Sequence, residues 1–190
     1  MPTKSLRVKN DPKKKVLTVE KWDLYDKDRI RTEETVERGE YFPPDRYRVV
    51  VHLCIIGSDG KMLIQQRQKD KSSWADLWDL SVGGHVVSGE TSQQGIQREL
   101  LEELGLSIDM SEVRPSLTMN FNSGFDDIYI IRRDIDISAL TLQESEVQAV
   151  KFADCEEILS ISDDKTFIPN HKNSISLLFD VKDYMGVHKK

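Results

Sequence analysis

GHVVSGETSQQGIQRELLEELGL (Gly84–Leu106) crowds four glutamates and one arginine between two glycines. Thr91-Ser92-Gln93-Gln94 has the form of a capping box, in which the Thr91 hydroxyl and the Gln94 side chain satisfy each other's backbone N–H groups. Gly105 is a natural residue to follow a helix, because glycine adopts the left-handed conformation there without strain. The spacing therefore predicts a helix over residues 92–103. Residues three and four apart are neighbours on a helix, so Glu99, Glu102 and Glu103 project from one side. Ile96, Leu100 and Leu104 form the adjoining apolar stripe. Like charges at this spacing destabilise a helix by a few tenths of a kcal/mol. They also stand in its last turn, where the macrodipole disfavours anions. A solvated acidic face is the usual reading of a charge run. A hard divalent cation would relieve both penalties, because Mg²⁺ takes oxygen ligands and keeps several waters.

Outward from this helix, short strands dominate. LWDLSV (77–82) leads into Gly83-Gly84 and reads as a strand. YRVVVHLCII (47–56) is a nearly continuous apolar run, the pattern of a strand buried on both faces. Gly57-Ser58-Asp59-Gly60 makes a turn, and KMLIQQR (61–67) returns as its hairpin partner. SLTMNFN, DIYIIRRDI and VQAVKFA predict strands near 116–122, 127–135 and 147–153. Asp154-Cys155-Glu156-Glu157 starts a second helix. NSISLLFDVKDYM (173–185) predicts a third, with Ile175, Leu178 and Phe179 on its apolar stripe. Before the core, VLTVEKWDLY and a strand near Arg29–Thr32 flank an Asp26-Lys27-Asp28 turn. Pro43-Pro44 then breaks the chain. The division is thus a basic tail and β-hairpin appendage over residues 1–45 and a main domain over 46–190. Strands alternating with a few helices argue for an α/β (α+β) fold, a mixed sheet covered by helices.

Charge and composition exclude some functions. The 190 residues carry a formal net charge of -6, which disfavours nonspecific nucleic-acid binding. Six basic side chains before residue 16 (Lys4, Arg7, Lys9, Lys13, Lys14, Lys15) face only Asp11 and read as a solvated terminus. No apolar stretch reaches the length of a membrane span, and no apolar signal core opens the chain. Cys54 and Cys155 make no disulfide framework. A reducing cytoplasm is the expected setting.

The opening stretch fits G-x5-E-x7-R-E-U-x-E-E-x-G-U, with U a bulky aliphatic residue, at Gly84, Glu90, Arg98, Glu99, Leu100, Glu102, Glu103, Gly105 and Leu106. At average amino-acid usage this match arises by chance on the order of 10⁻⁹ per starting position. The pattern resembles the Nudix box. The resemblance implies an α/β/α sandwich around a mixed sheet and a loop–helix–loop that binds metal. It implies Glu99, Glu102 and Glu103 as ligands of Mg²⁺ or Mn²⁺, with the Gly84 carbonyl a further ligand. Arg98 would pair with Glu90 and hold the loop onto the helix. Gly83 and Gly84 would let a phosphate-bearing substrate approach the backbone. The metals would neutralise a diphosphate and lower the pKa of a water that attacks one phosphorus. Glu102 or Glu103 could be the general base, and Glu146, in the QESEV segment with Glu144, is another candidate from a loop beyond the box.

EKWDLYDKDRIRTEETVERGE before the core and WDLSVGGHVVSGE within it look like the Nudix branch related to isopentenyl-diphosphate isomerase. That isomerase uses a cysteine and a glutamate beside a metal held by histidines and glutamates. His85 matches one metal-ligating histidine. Its cysteine, however, falls at Gly83, and Arg48 stands nearest to where a second histidine is expected. His52, inside the apolar run, reads as a core histidine. Asp127 is a weaker candidate ligand, against the plainer reading of a strand-start turn. Trp22, Trp74, Trp78, Phe121 and Tyr129 are packing residues or a platform for a base, with Trp78 read as core.

The expected activity is hydrolysis of a diphosphate bond in a nucleotide or a nucleoside-diphosphate-linked compound. Isomerisation of isopentenyl diphosphate, disfavoured by Gly83, and a non-catalytic nucleotide-binding regulator are the alternatives. The expected partner is a small-molecule diphosphate, with no nucleic acid and no membrane, and the N-terminal hairpin could pair two copies into a homodimer.

Overall fold

The computed structural model describes residues 19–183. The basic tail lies outside the described residues. The chain runs β1 (Lys21–Tyr25), β2 (Arg31–Glu37), β3 (Arg48–Ile56), β4 (Met62–Arg67), β5 (Trp78–Asp79), β6 (Val82–His85), α1 (Ser92–Leu104), β7 (Leu117–Phe121), β8 (Gly124–Arg132), a 3₁₀ turn (Ile137–Ala139), β9 (Val147–Ala153), α2 (Cys155–Asp163) and α3 (Lys172–Asp180). Seven strands form one mixed sheet, in which β3 and β8 are parallel and the other pairs antiparallel.

β3 is the organising strand. Its side chains alternate across the sheet. Val49, Val51, Leu53 and Ile55 face α1, whose Ile96, Leu100 and Leu104 are fully buried against them. Cys54 and Ile56 face the other layer, with Ile158 of α2 and Ile175, Leu178 and Phe179 of α3. Each such side chain contributes about 1.5–3 kcal/mol by leaving water. Two helical layers around the sheet make the expected α/β/α sandwich.

Two strand assignments change. LWDLSV does not make one strand. Leu80 and Ser81 interrupt it, because the Ser81 hydroxyl bonds the backbone of β3 and β4, receiving Ile55 N–H and donating to Leu63 carbonyl. β4 also is not a full hairpin partner of β3. They pair only at Ile56–Met62, and β6 takes the rest of that edge, from Val50–His85 to Leu53–Val82. β4 pairs instead with β9 over most of its length. This rearrangement brings Gly83, Gly84 and His85 beside the centre of the sheet.

β1 and β2 form a separate antiparallel pair. Its second strand is longer and later than expected near Arg29–Thr32, and Arg29 itself sits in the turn with a positive φ of 62°. The pair is bolted to the rest of the fold. Asp23 accepts bonds from the Ser88 hydroxyl and the Gly89 N–H and pairs with Arg31. Arg29 reaches the fully buried Asp127. Asp127 also accepts from Ser92 at the start of α1, at 2.6 Å, and from Thr118 on β7, at 2.7 Å. One carboxylate thus joins the hairpin, the helix and two strands.

Candidate active site

α1 forms as the capping pattern requires. Thr91 Oγ accepts from Gln94 N–H, Gln94 returns the bond to Thr91 N–H, and Gly105 closes the helix at φ 68°. The helix packs its last turns against β6 so closely that a Cβ on Gly84 would lie 2.2 Å from the Glu99 carboxylate. Any side chain there would displace the Glu99 carboxylate. Glu99 and Glu103 are buried, whereas the Glu102 side chain is half exposed. Gln65 of β4 donates to Glu103 at 3.0 Å, and its own buried Oε1 has no partner among the described residues.

Arg98 is the hub of the loop. It donates to Glu90 and Glu99, each at 2.9 Å, to Glu102 at 3.1 Å and to the His85 carbonyl at 2.8 Å. Burial opposes its charge, but Glu90 and Glu99 outweigh that and raise its pKa further. Glu90 in turn accepts from Val87 N–H, at 3.2 Å. The loop, the helix and the three glutamates are therefore held by one guanidinium.

Gly84, Glu99, Glu102 and Glu103 line a cleft of about 730 Å³. Gly83, His85 and Glu146 also line it, but Glu90 and Arg98 stand behind its wall. Glu146 is ion-paired with Lys71, whereas Glu144 is exposed and does not line the cleft. Asp127 is absent from the cleft and serves the buried junction described above, which removes it as a metal candidate. Its neighbour Asp126 faces the cleft instead, because successive side chains on a strand alternate.

His52 departs from the expected core position. It faces the cleft, bonded through Nδ1 to Asp126 at 2.8 Å. Burial alone would lower its pKa, but the Asp126 bond and the charges of Asp126, Asp79 and Glu103 raise it to about 9. The apolar run hid this residue, although its even-numbered register with Arg48 was a usable signal. His85 has the opposite environment. It stacks on Trp22 at 4.2 Å, and burial with the charges of Arg48 and Arg38 lowers it to about 4, so its imidazole is neutral. Trp78 is partly buried beneath Lys151 rather than wholly in the core.

The sequence profile described as the NUDIX domain matches residues 46–178. The chain belongs to the Nudix hydrolases. It is 41% identical to an uncharacterized Nudix hydrolase of Listeria innocua over 90% of this chain and 99% of that one. The crystal structure of DR0079 from Deinococcus radiodurans superposes with a TM-score of 0.68 at 25% identity, covering 84% of this chain and 97% of that one. An isopentenyl-diphosphate Delta-isomerase of Salmonella heidelberg is 37% identical, over only 32% of this chain and 34% of that one. As a Nudix hydrolase the chain is an enzyme of pyrophosphate bonds. Among the described residues no helix is long and apolar enough to cross a membrane.

Isomerase chemistry has no thiol to use in this Nudix site. Cys54 is fully buried, and burial pushes its thiol well above the ordinary range. Nor does the site leave room for a cysteine at position 83, where a Cβ would lie 2.6 Å from His52 Cδ2. Gly83→Cys is expected to displace His52 from Asp126 and confer no isomerisation. An NMR titration should show the imidazole falling from about 9 toward its ordinary 6.5. An unchanged titration would mean that the cleft has room for the thiol.

The glutamates of the Nudix helix suit a hard cation. Burial, and for Glu103 the adjacent charge of Glu99, raise Glu99 to about 7 and Glu103 to about 8. Glu99 has Arg98 as its cationic partner, whereas Glu103, buried beside it, is bonded by the neutral amide of Gln65. In this side-chain arrangement no three acidic, histidine or cysteine groups among the described residues converge as a finished metal site, since Arg98 engages Glu99 and Glu102.

A stability profile follows. Both glutamates titrate above their ordinary 4.5, so the folded state holds protons that the unfolded chain has released. Stability therefore falls as pH rises between about 4.5 and about 8. The raised His52 acts in the same direction, because its contribution is complete below 6.5 and is lost as pH rises toward 9. Metal-free protein should melt at a lower temperature near pH 8.5 than near pH 5.5, and Mg²⁺ or Mn²⁺ should raise the melting temperature mainly at the higher pH. Calorimetry across that range, with and without metal, measures both; a flat metal-free profile would contradict the assignment.

Proposed function

We propose that this Nudix hydrolase cleaves a diphosphate bond in a nucleotide or nucleoside-diphosphate-linked compound, with Mg²⁺ or Mn²⁺, in a reducing cytoplasm. One observation carries the reading: Glu99 and Glu103 are buried on the wall of a cleft whose backbone, at Gly83-Gly84, is bare. Glu99, Glu102, Glu103 and the Gly84 carbonyl would hold the cation. When bound, it would neutralise the diphosphate and acidify water in the site. Arg67 and Lys71, which line the same cleft, supply fixed positive charge for the phosphoryl oxygens. Gly83 and Gly84 let those oxygens approach the backbone without a side chain between. Glu103 accepts the proton of the attacking water, with Gln65 fixing its rotamer, as one P–O bond forms and the bridging P–O bond breaks. Glu102 is the next candidate base. Glu146 is the third, and its ion pair with Lys71 makes it the weakest acceptor of the three.

The test is purified protein with Mg²⁺ or Mn²⁺ against nucleoside di- and triphosphates, nucleotide sugars, ADP-ribose, dinucleoside polyphosphates and isopentenyl diphosphate. Products would be separated by chromatography. Metal-dependent cleavage that disappears in Glu103→Gln supports the reading. A nucleotide bound intact without turnover, or isopentenyl diphosphate isomerised, overturns it.

A further inference from the structure

Arg48 is the exception among the arginines packed into this fold. Arg29 has Asp127, Arg98 has Glu90 and Glu99, and Arg67 lies 3.9 Å from Asp79. Arg48 has no carboxylate partner among the described residues. Its side chain makes one hydrogen bond there, from Nη1 to the Ser123 hydroxyl at 3.0 Å, and its Nε–H is buried without an acceptor. The guanidinium is instead caged by rings, with centroids of Phe42, Trp22 and Phe121 at 5.0, 5.4 and 5.5 Å. Such contacts attract the cation, but they accept no ordinary hydrogen bond. A guanidinium stays charged even when burial lowers its pKa, as it does here. The missing counter-ion can come from the cleft, which Arg48 lines together with Arg38. Arg38 has its own partner in Glu20 at 3.1 Å.

We propose that Arg48 is an anion receptor at the hairpin end of the cleft, taking a phosphoryl group of the substrate beyond the linkage presented to the glutamates. Its place on the sheet supports this. Val50 pairs with His85, His85 follows Gly84, and Gly84 is the residue against which Glu99 packs. Arg48 stands two residues before Val50, about 7 Å further along the strand. The planar fork of a guanidinium matches a phosphate in a way that a lysine does not. The inference rests on the hydrolase reading and narrows it to substrates with a phosphoryl group besides the cleaved pair, such as a nucleoside triphosphate, over a diphosphate ending in an unmodified sugar.

Two measurements keep this separable from hydrolysis itself. In the first, inorganic pyrophosphate is titrated into ¹⁵N-labelled protein with chelator present, and the arginine Nε–H signals are followed. The Arg48 signal, assigned by its loss in Arg48→Lys, should shift and saturate while that of Arg29 stays still. Arg48→Met should weaken binding at least tenfold. In the second, Arg48→Lys should lower kcat/KM at least tenfold for a nucleoside triphosphate and less than twofold for a nucleotide sugar. A motionless Arg48 signal in the wild-type protein overturns the proposal whether or not the Met variant folds or any substrate is turned over. Equal losses on both substrates also overturn it.

Discussion

Glu103→Gln is expected to lower turnover by about two to four orders of magnitude, the range associated with a positioned proton-transfer group, and to leave the protein folded. Glutamine keeps the shape of the side chain, and its Oε1 can still accept from Gln65 Nε2, now 3.0 Å from the Glu103 carboxylate. It removes a charge that burial and Glu99 already disfavour. The melting temperature of the metal-free variant should therefore equal or exceed that of the native chain, most clearly above pH 8. Activity and stability then move in opposite directions, the usual signature of a site held against its own folding preference. A variant that keeps a tenth or more of native turnover would exclude Glu103 from the chemistry. A variant that loses activity and melts early would make it a packing residue. Glu102→Gln serves as the companion, since its half-exposed carboxylate contributes little to the fold.

Asp127→Ala should have the largest effect on stability, about 1–3 kcal/mol, the cost of leaving the hydroxyl partners of a buried carboxylate unsatisfied, because the stranded Arg29 side chain is 36% exposed and water reaches it. The side chain is fully buried and serves Arg29, Ser92 and Thr118 together. Ser92 also touches the Tyr129 hydroxyl at 2.7 Å, so the loss propagates to the β8 side chain packed beneath α1. Urea denaturation followed by circular dichroism gives the number. Combining Asp127→Ala with Arg29→Met should recover part of the loss, because the stranded guanidinium goes with its partner. A cost below about 1 kcal/mol would mean that the hairpin is only loosely tied to the sheet.

The glutamate helix was legible because its signals are local. A capping box, a terminal glycine and a three-four spacing need no knowledge of the rest of the chain. What those glutamates do individually was not legible. Glu99 and Glu103 differ from Glu102 because Gly84 and Gln65 stand where they do, and both come from strands placed by distant pairing. The same limit explains His52, which sits among valines and leucines yet faces an aspartate from a strand more than seventy residues later. It explains Asp127 as well: Asp126 and Asp127 are adjacent, but strand alternation sends one to the cleft and the other to the buried junction. The turn at Gly57–Gly60 suggested a simple hairpin. Strand β6 competes for the same edge and wins over four residue pairs, a contest that no local pattern announces.

The junction at Asp127 also sets an order of events during synthesis. Arg29 and Asp127 are 98 residues apart, which corresponds to roughly 5–20 seconds of ribosomal elongation. The parallel pairing of β3 with β8 also waits, since Arg48 meets Gly124. By the end of that interval the hairpin, Arg48 and the whole glutamate helix have left the peptidyl-transferase centre, while the strand that assembles them is only then being made. The nascent chain carries its reactive groups early and its geometry late, so the enzyme cannot act until most of its sequence has been translated.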